Sequence, residues 1–221
     1  MHLTDLHFRR AWWPGYDVVL DRLRADPPDV VLVTGDFVDD QADHTDAMPT
    51  LRRFLDGLTS RLGTFAVLGN HDGDNLRRHL AGVTLLDGAT HAVRPDVQLL
   101  GLPGVWRGDQ LQDQLPPLTP RPPVRLLLTH YPDTVKRLGP LNSQLILSGH
   151  THGGQVCLPN GHPLLTHDAL PKSMCHGLHD WQGTPLLIGR GLGCSTLQLR
   201  TFCPAEVWEL VLTPAGGDGD A

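Results

Sequence analysis

Residues 30–36 read Val-Val-Leu-Val-Thr-Gly-Asp, a short apolar run that ends in a glycine and a carboxylate. A run of this length, rich in β-branched residues, predicts a strand that is buried on both faces. Similar runs recur along the chain, at Thr64–Leu68, Gln98–Leu102, Val124–Thr129, Gln144–Ser148, Pro185–Ile188 and Glu206–Leu212. The chain is therefore expected to build most of its core from short buried strands.

Two segments between the early strands have the apolar spacing of amphipathic helices, Tyr16–Ala25 and Ala47–Leu62. Strands that alternate with helices early, and then follow one another with fewer helices, predict an α/β layered domain over residues 1–213. We expect the Pro-rich stretch Leu115–Pro123 to be a connector inside this domain. The Gly- and Asp-rich residues 214–221 are expected to form a flexible tail.

Metal-capable side chains stand directly after five of the predicted strands. They are Asp5, His7, Asp36, Asn70, His130, His150 and His152. The crevice beyond the carboxyl ends of strands is the usual ligand site of an open α/β sheet, because loops from several strands converge there. Since residues two apart on an extended backbone point to the same side, Asp5 and His7, like His150 and His152, are expected to reach a shared site.

The number and chemistry of these donors favour two metal ions. Seven donors, of which only two are carboxylates, are too many for one tetrahedral zinc and fit two ions that share a ligand. The mixture of imidazole, carboxylate and amide oxygen suits Mn, Fe or Zn better than calcium.

Five blocks stand in a fixed order: D-x-H at 5–7, G-D at 35–36, G-N-H-D at 69–72, a single His at 130 and G-H-x-H at 149–152. In this order they resemble the signature of the calcineurin-like metallophosphoesterases. Gly153-Gly154-Gln155, Arg190–Gly193 and Pro204-Ala205-Glu206 are similar to the bacterial YkuE/YaeI-type phosphodiesterase branch of that family. The resemblance covers nearly the whole chain. It implies a four-layer α/β/β/α sandwich with two mixed sheets.

The resemblance also implies a role for each block. One divalent ion would be held by Asp5, His7, Asp36 and His152, and the second by Asp36, Asn70, His130 and His150. Asp36 would bridge the two ions, with Mn²⁺ favoured over Fe or Zn. His71 would be catalytic, contacting the scissile phosphate and protonating or stabilising the leaving oxygen, with Asp72 nearby to orient it. Asn70, His71 and Arg190 are the expected substrate contacts, and Arg190 has the alternative role of bracing a turn.

The function implied is a dinuclear metal-dependent phosphodiesterase that uses a metal-bridging hydroxide for in-line attack on phosphorus. The expected substrate is a small or lipid-linked phosphoester. A lipid substrate ranks lower, because residues 103–123 offer few consecutive apolar side chains for a cap. The alternatives are a phosphomonoesterase acting on phosphoprotein or nucleotides, a UDP-diacylglucosamine-type pyrophosphatase and, more remotely, a non-catalytic scaffold on the same fold.

The composition limits which partners and which cellular compartment are expected. Lys and Arg number 18 against 24 Asp and Glu, and no basic block occurs, so no specific nucleic-acid partner is expected. No apolar run approaches the roughly 20 residues of a membrane span. A cytoplasmic protein is expected, and the four cysteines, none in CxxC spacing, are expected to be reduced. Only Met1–Thr4 precede the first block. Either the natural start lies upstream, with an anchor or export signal, or the first strand is shortened.

Histidine is abundant, with 13 in the chain, and five of these fall in the signature blocks. The other eight are expected on the surface or in loops, although those in residues 159–183 are candidates for a wall of the substrate site. Trp12 and Trp13 follow the first block. They are expected either to anchor their loop or to stack against a base or sugar of the substrate.

Overall fold

The computed structural model describes residues 1–40, 42–102, 124–138 and 143–213. In these residues the strands β1 to β10 are His2–Leu3, Val31–Thr34, Thr64–Val67, Val83–Leu85, Thr90–Arg94, Val97–Gly101, Val124–Leu128, Leu145–Ser148, Gly177–Trp181 and Thr184–Ile188. The α-helices are α1, Gly15–Ala25, and α2, Met48–Gly57. Short 3-10 helices cover Thr45–Ala47, Asp74–His79, Pro132–Lys136, His152–Gly154 and Lys172–Met174. The predicted connector at 115–123 and tail at 214–221 lie outside the described residues.

The strands form two sheets. The first has the order β1-β2-β3-β4 and is parallel throughout these four strands. The second has the order β5-β6-β7-β8-β10-β9, with four parallel strands inside and an antiparallel strand at each edge. The described antiparallel pairing in the first sheet is a single bridge between His2 and Trp208.

Three apolar layers separate the sheets and helices. The first, with Leu20, Leu23 and Phe54, lies between α1, α2 and the first sheet. The second, with Phe65, Leu99 and Leu147, lies between the two sheets. The third packs the outer face of the second sheet against Val135 of a 3-10 helix and nearby loops. The predicted α/β sandwich of two sheets is confirmed. On the second sheet, the described outer layer consists of 3-10 turns and loops.

Two predicted boundaries are wrong, and in each case tertiary contacts decide the outcome. The helix predicted over Ala47–Leu62 ends at Gly57, because Leu58 is extended and the amides of Arg61 and Leu62 donate to the 28–29 loop. The strand predicted at Glu206–Leu212 is reduced to the Trp208 bridge. Its neighbour β1 has only two residues, so a longer ladder has no partner.

The site is positioned by the parallel strands. β1, β2 and β3 of the first sheet run in one direction, and so do β7 and β8 of the second. The loops that leave their carboxyl ends carry the five signature blocks. In the described ranges, no helix is both long enough and apolar enough to cross a bilayer.

Candidate metal centre

The structure gathers the seven predicted donors into two groups that share Asp36. In the inner cluster, Asp5, His7, Asp36 and His152 bring one ligand atom each within 4.8 Å of one another. The same limit holds for Asp36, His130 and His150, and Asn70 joins these three through a 3.0 Å contact between its Oδ1 and Nε2 of His130. We refer to Asp36, Asn70, His130 and His150 as the outer cluster.

Donor atoms in the inner cluster lie at short separations. His7 Nε2 is 3.0 Å from His152 Nε2 and 3.4 Å from Asp36 Oδ2. His152 Nε2 is 3.5 Å from Asp5 Oδ1. All four side chains are buried. Two imidazole nitrogens and two carboxylates therefore converge on one small volume away from bulk water.

The outer cluster has similar separations. His130 Nε2 lies 3.3 Å from Asp36 Oδ2 and 3.2 Å from His150 Nδ1. Asn70 and His150 are partly exposed, whereas His130 is fully buried. The outer cluster thus opens towards solvent on the side of Asn70 and His150.

These separations fit divalent metal ions. Metal–ligand bonds of about 2.1 Å place neighbouring ligand atoms about 3.0 Å apart in an octahedron and about 3.4 Å apart in a tetrahedron. The measured values fall in or near this range, and the donors are imidazole, carboxylate and amide oxygen, which suit Mn, Fe or Zn. The donor set therefore fits a divalent-metal centre.

Hydrogen bonds to backbone carbonyls fix which ring nitrogen each outer histidine presents. Nδ1 of His130 lies 2.7 Å from the carbonyl oxygen of Thr34, so Nε2 faces the cluster. Nε2 of His150 lies 3.0 Å from the carbonyl oxygen of His167, so Nδ1 faces the cluster. Histidine ligands in metal sites are commonly held by a second hydrogen bond of this kind.

The donors stand on an unusual backbone. Left-handed φ angles occur at Asp5 (49°), His7 (46°), Asp36 (55°), His150 (70°) and His152 (53°). Each costs roughly 1–2 kcal/mol for a residue other than glycine, and such strain clusters at functional sites. The extended backbone predicted for the two pairs is therefore wrong, because β1 ends at Leu3 and β8 at Ser148 before the donors begin. Asp5 and His7 nevertheless share the inner cluster, as predicted, whereas His150 and His152 lie in different clusters.

Two glycines allow the loops to approach the carboxylates. A Cβ on Gly69 would lie 2.1 Å from Asp36 Oδ1, and one on Gly149 would lie 2.4 Å from Asp5 Oδ2. Any side chain at either position would force a donor carboxylate to move. The glycines of the G-N-H-D and G-H-x-H blocks are thus required by packing against the donors.

Without a metal ion, the donors balance charge among themselves. Burial opposes ionisation of Asp36, but the charges and hydrogen bonds of His130 and His7 outweigh it and hold the pKa of that carboxyl well below its usual range. Burial also lowers the pKa of His7 and His130, yet their pairing with neighbouring carboxylates, chiefly Asp36, outweighs burial and raises the pKa of each to about 9. Each cluster therefore holds one imidazolium proton where a metal cation would bind.

Comparison with known proteins gives a match over the residues that carry the five blocks. Residues 1–154, more than half of the chain, match the calcineurin-like phosphoesterase family. The chain belongs to this family. The resemblance drawn from the five ordered blocks is confirmed.

Several relatives within this phosphoesterase family are bacterial. The chain is 31% identical to the phosphodiesterase YaeI of Escherichia coli, over 96% of this chain and 81% of YaeI. It is 30% identical to the metallophosphoesterase YkuE of Bacillus subtilis, over 81% of this chain and 66% of YkuE. It is also 30% identical to the metallophosphoesterase Cj0846 of Campylobacter jejuni, over 93% of this chain and 56% of that protein. The chain thus spans between half and two thirds of the length of the last two relatives.

A solved crystal structure shares the fold, with a TM-score of 0.54 at 11% identity over 84% of this chain and 88% of that one. This likeness concerns the fold alone.

His71, from the phosphoesterase block G-N-H-D, lies at the edge of both clusters. Its ring is 4.8 Å from that of His7 in an edge-on contact, and its amide donates to Asp36 Oδ1 at 2.8 Å. Its Nδ1 lies 2.5 Å from the carbonyl oxygen of Asp39. The half-buried imidazole is therefore held beside the donors without being counted in either cluster.

Asp72 does not orient His71 as predicted. Its carboxylate accepts hydrogen bonds from the amides of Phe37 (2.8 Å), Val38 (3.3 Å) and Gly69 (2.9 Å). It therefore ties together the loops after β2 and β3, while the described contact that orients the His71 ring comes from Asp39. The orienting group proved to be a backbone carbonyl, which the residue type at position 72 does not reveal.

Asp39 is a neighbour of the candidate site that sequence reasoning missed. Besides its carbonyl contact with His71, its carboxylate lies 3.2 Å from Nδ1 of His7 and 2.6 Å from the guanidinium of Arg9. It thus neighbours a metal-donor histidine on the side away from the cluster. Its place three residues after Asp36, on the same loop, was the available signal.

Arg190 and Arg200 brace the loops around the inner cluster. Arg190 pairs with Glu206 at 3.3 Å and contacts His176, in keeping with the turn-bracing alternative. Arg200, which sequence reasoning missed, donates to the carbonyls of Arg190 (2.7 Å), Gly193 (2.6 Å) and His152 (3.1 Å). A loop arginine carries no local sequence signal for this role.

Proposed function

We propose that this chain is a metal-dependent phosphodiesterase that works with two divalent ions, one in each cluster. The observation that carries the proposal is the sharing of Asp36 between two groups of donors at metal-ligand spacing. Its relative YaeI is named a phosphodiesterase, which favours a diester over a monoester or a pyrophosphate. The complete set of donors argues against the scaffold alternative.

Divalent ions held in these clusters would supply Lewis acidity, which polarises the phosphoryl oxygens and makes hydroxide available near neutral pH. The neutral amide of Asn70 keeps the outer cluster from becoming too negative for an anionic substrate. The partial exposure of Asn70 and His150 leaves that cluster accessible to a phosphate group.

His71 is proposed as the proton donor to the leaving oxygen. Its Nδ1–H donates to the carbonyl of Asp39, so the proton available for transfer is the one on Nε2 of the protonated ring. Asn70 and His71 are the proposed substrate contacts, because both are half-buried residues of one loop beside the shared carboxylate. Asp72 is proposed to hold this loop against the loop of Asp36 through its three amide contacts.

The test compares bis(4-nitrophenyl) phosphate with 4-nitrophenyl phosphate, each with and without Mn²⁺. We expect Mn²⁺-dependent hydrolysis with the diester preferred. Asp36→Asn should abolish turnover, since both clusters lose their shared ligand. His71→Ala should lower kcat by about 10²–10⁴-fold, the usual contribution of a general acid.

Asp21→Asn is the matched control, because Asp21 is exposed and pairs only with Arg24 among its described contacts. It should keep wild-type turnover. Hydrolysis near the wild-type rate by Asp36→Asn or by His71→Ala would contradict the assignment. A strong preference for the monoester would replace the phosphodiesterase by a phosphomonoesterase.

A further inference from the structure

A cavity of about 450 Å³ begins at His7 of the inner cluster and runs away from the metal donors. One wall includes Trp12, Trp13 and Tyr16. The lining also includes Leu192 and Pro204. A cavity of this size lies within the range of about 300–1,000 Å³ that is typical of small-molecule sites.

The aromatic wall is built rigidly. Tyr16 donates its hydroxyl to the carbonyl of Leu6 at 2.7 Å, and both tryptophan rings contact the Tyr16 ring edge-on, at 5.2 Å for Trp12 and 5.3 Å for Trp13. A Cβ on Gly15 would lie 2.0 Å from the Trp13 ring, so this ring is seated directly on the Gly15 backbone. Trp13 nevertheless remains 43% exposed. Packing fixes the position of this indole without hiding it.

Trp12 is fixed by polar contacts as well. Its Nε1 donates to Asp17 at 2.7 Å, and the guanidinium of Arg53 covers one ring face at 3.7 Å. The two tryptophans therefore offer apolar surface that loses little conformational freedom when a ligand packs against it.

The charges around the cavity suit an anionic ligand. Among the described residues that line it, the permanently charged side chains are Arg9 and Arg200, and none is a carboxylate. Arg9 is paired with Asp39, and Arg200 is hydrogen-bonded to backbone carbonyls. The cavity thus joins an apolar aromatic wall to a cationic rim next to the metal donors.

We infer that this cavity binds one organic substituent of the phosphoester substrate, and that this substituent is a flat aromatic group. The inference rests on the proposed function, because it requires the phosphoryl group to sit beside Asp36, the carboxylate that joins the accessible outer cluster to His7. A fixed wall of ring edges and faces matches a planar ligand, which can pack edge-on or offset against the indoles. The arrangement makes Trp13 a specificity-determining residue.

Binding of phosphonates tests this without turnover. Methylphosphonate, naphthylmethylphosphonate and octylphosphonate carry the same anionic head and a single substituent, and isothermal titration with the Mn²⁺-loaded full chain gives their affinities. We expect the naphthylmethyl compound to bind at least about tenfold more tightly than the methyl compound. Trp13→Ala should bring this ratio close to one. Trp181→Ala is the control, because Trp181 lies in β9 on the other sheet and should preserve the ratio.

The alkylation rate of Cys194 provides a second test, which needs no variant. It lines the cavity and is partly exposed, whereas the other three cysteines are buried and serve as internal controls. At equal occupancy, naphthylmethylphosphonate should slow alkylation of Cys194 and methylphosphonate should not.

Each outcome has a defined meaning. Equal affinity of all three phosphonates, an unchanged ratio in Trp13→Ala, or no protection of Cys194 would overturn the inference alone. Tighter binding of the octyl than of the naphthylmethyl compound would replace the aromatic substituent by an alkyl chain. Absence of Mn²⁺-dependent diester hydrolysis would instead overturn the proposed function. Failure of every phosphonate to bind to a chain that hydrolyses the diester would overturn the inference alone.

Discussion

The inner and outer clusters share Asp36 but are built differently. The inner donors Asp5, His7 and His152 are buried, and all three have left-handed backbones. Apart from the shared Asp36, His150 is the outer donor with a left-handed backbone, and both His150 and Asn70 are partly exposed. Burial and backbone strain are thus concentrated in the inner cluster, whereas the outer cluster is accessible to solvent. For the two ions of the proposed function, the difference predicts that the inner ion is held more firmly and that the outer ion exchanges more readily.

Removing one histidine from each cluster in turn is expected to change metal content and activity the most. It directly tests the difference between the inner and outer clusters. His152→Ala should lose the inner ion, with a fall in activity greater than the roughly 10–100-fold that loss of an outer-shell partner costs. His150→Ala should retain one ion after desalting and regain activity in excess Mn²⁺, because its cluster exchanges with solvent. The metal content after desalting measures ion loss in each variant, and kcat at increasing Mn²⁺ concentrations measures the rescue of activity.

His162→Ala, at an exposed loop histidine, controls for loss of an imidazole and should keep both ions. If excess Mn²⁺ rescues His152→Ala as easily as His150→Ala, the predicted difference between the inner and outer clusters is wrong.

Asp39→Asn sharpens the account of the inner cluster. Because the carboxylate lies 3.2 Å from Nδ1 of the donor His7, its neutralisation should weaken Mn²⁺ affinity by about 10–100-fold. Mn²⁺ titration followed by isothermal calorimetry measures the change. Asp40→Asn, at the next residue along the chain, is exposed and should leave the affinity unchanged. If Asp39→Asn weakens Mn²⁺ binding no more than Asp40→Asn does, Asp39 has no part in the inner site.

The pH dependence of metal binding is expected to be the same for the two clusters. In the metal-free chain the pKa of His7 and of His130 is raised to about 9, so at neutral pH each cluster holds a proton that a metal ion must displace. Affinity should therefore rise with pH up to about 9, by about tenfold per pH unit for each proton released. Titrations at about pH 6.5 and about pH 8.5, in buffers of different ionisation enthalpy, count these protons. Affinity that does not change with pH would contradict the paired-imidazolium description of both clusters.

Local signals in the sequence were enough to predict the strands that end at the donors, but not β4, β5 or β9. Val31–Thr34 and Leu145–Ser148 are short apolar runs with polar residues directly after them, and parallel strands bring such ends together. Long-range contacts were not readable in the same way. Residues 58–62 look helical but bond to the 28–29 loop, and residues 206–212 look extended but find only His2 as a ladder partner.

The detailed geometry of the site was also beyond the sequence. Alternation along an extended strand predicted how the donors point, whereas the chain uses left-handed residues that no periodicity reveals. The roles of Asp39 and Arg200 depend on backbone carbonyls and on neighbours distant in the chain, so their residue types carry no signal for them.

The hydrogen bonds of Arg200 bear on the order in which the site is completed during synthesis. All seven donors have been synthesised by residue 152, yet Arg200, which donates to the carbonyls of His152 and Gly193, is made later, and so is Trp208 beside β1. A nascent chain therefore carries every donor before it can hold the inner loops in place. Shortening the chain after residue 154 would keep the full set of donors and remove Arg200, so possession of the signature alone does not guarantee an assembled centre.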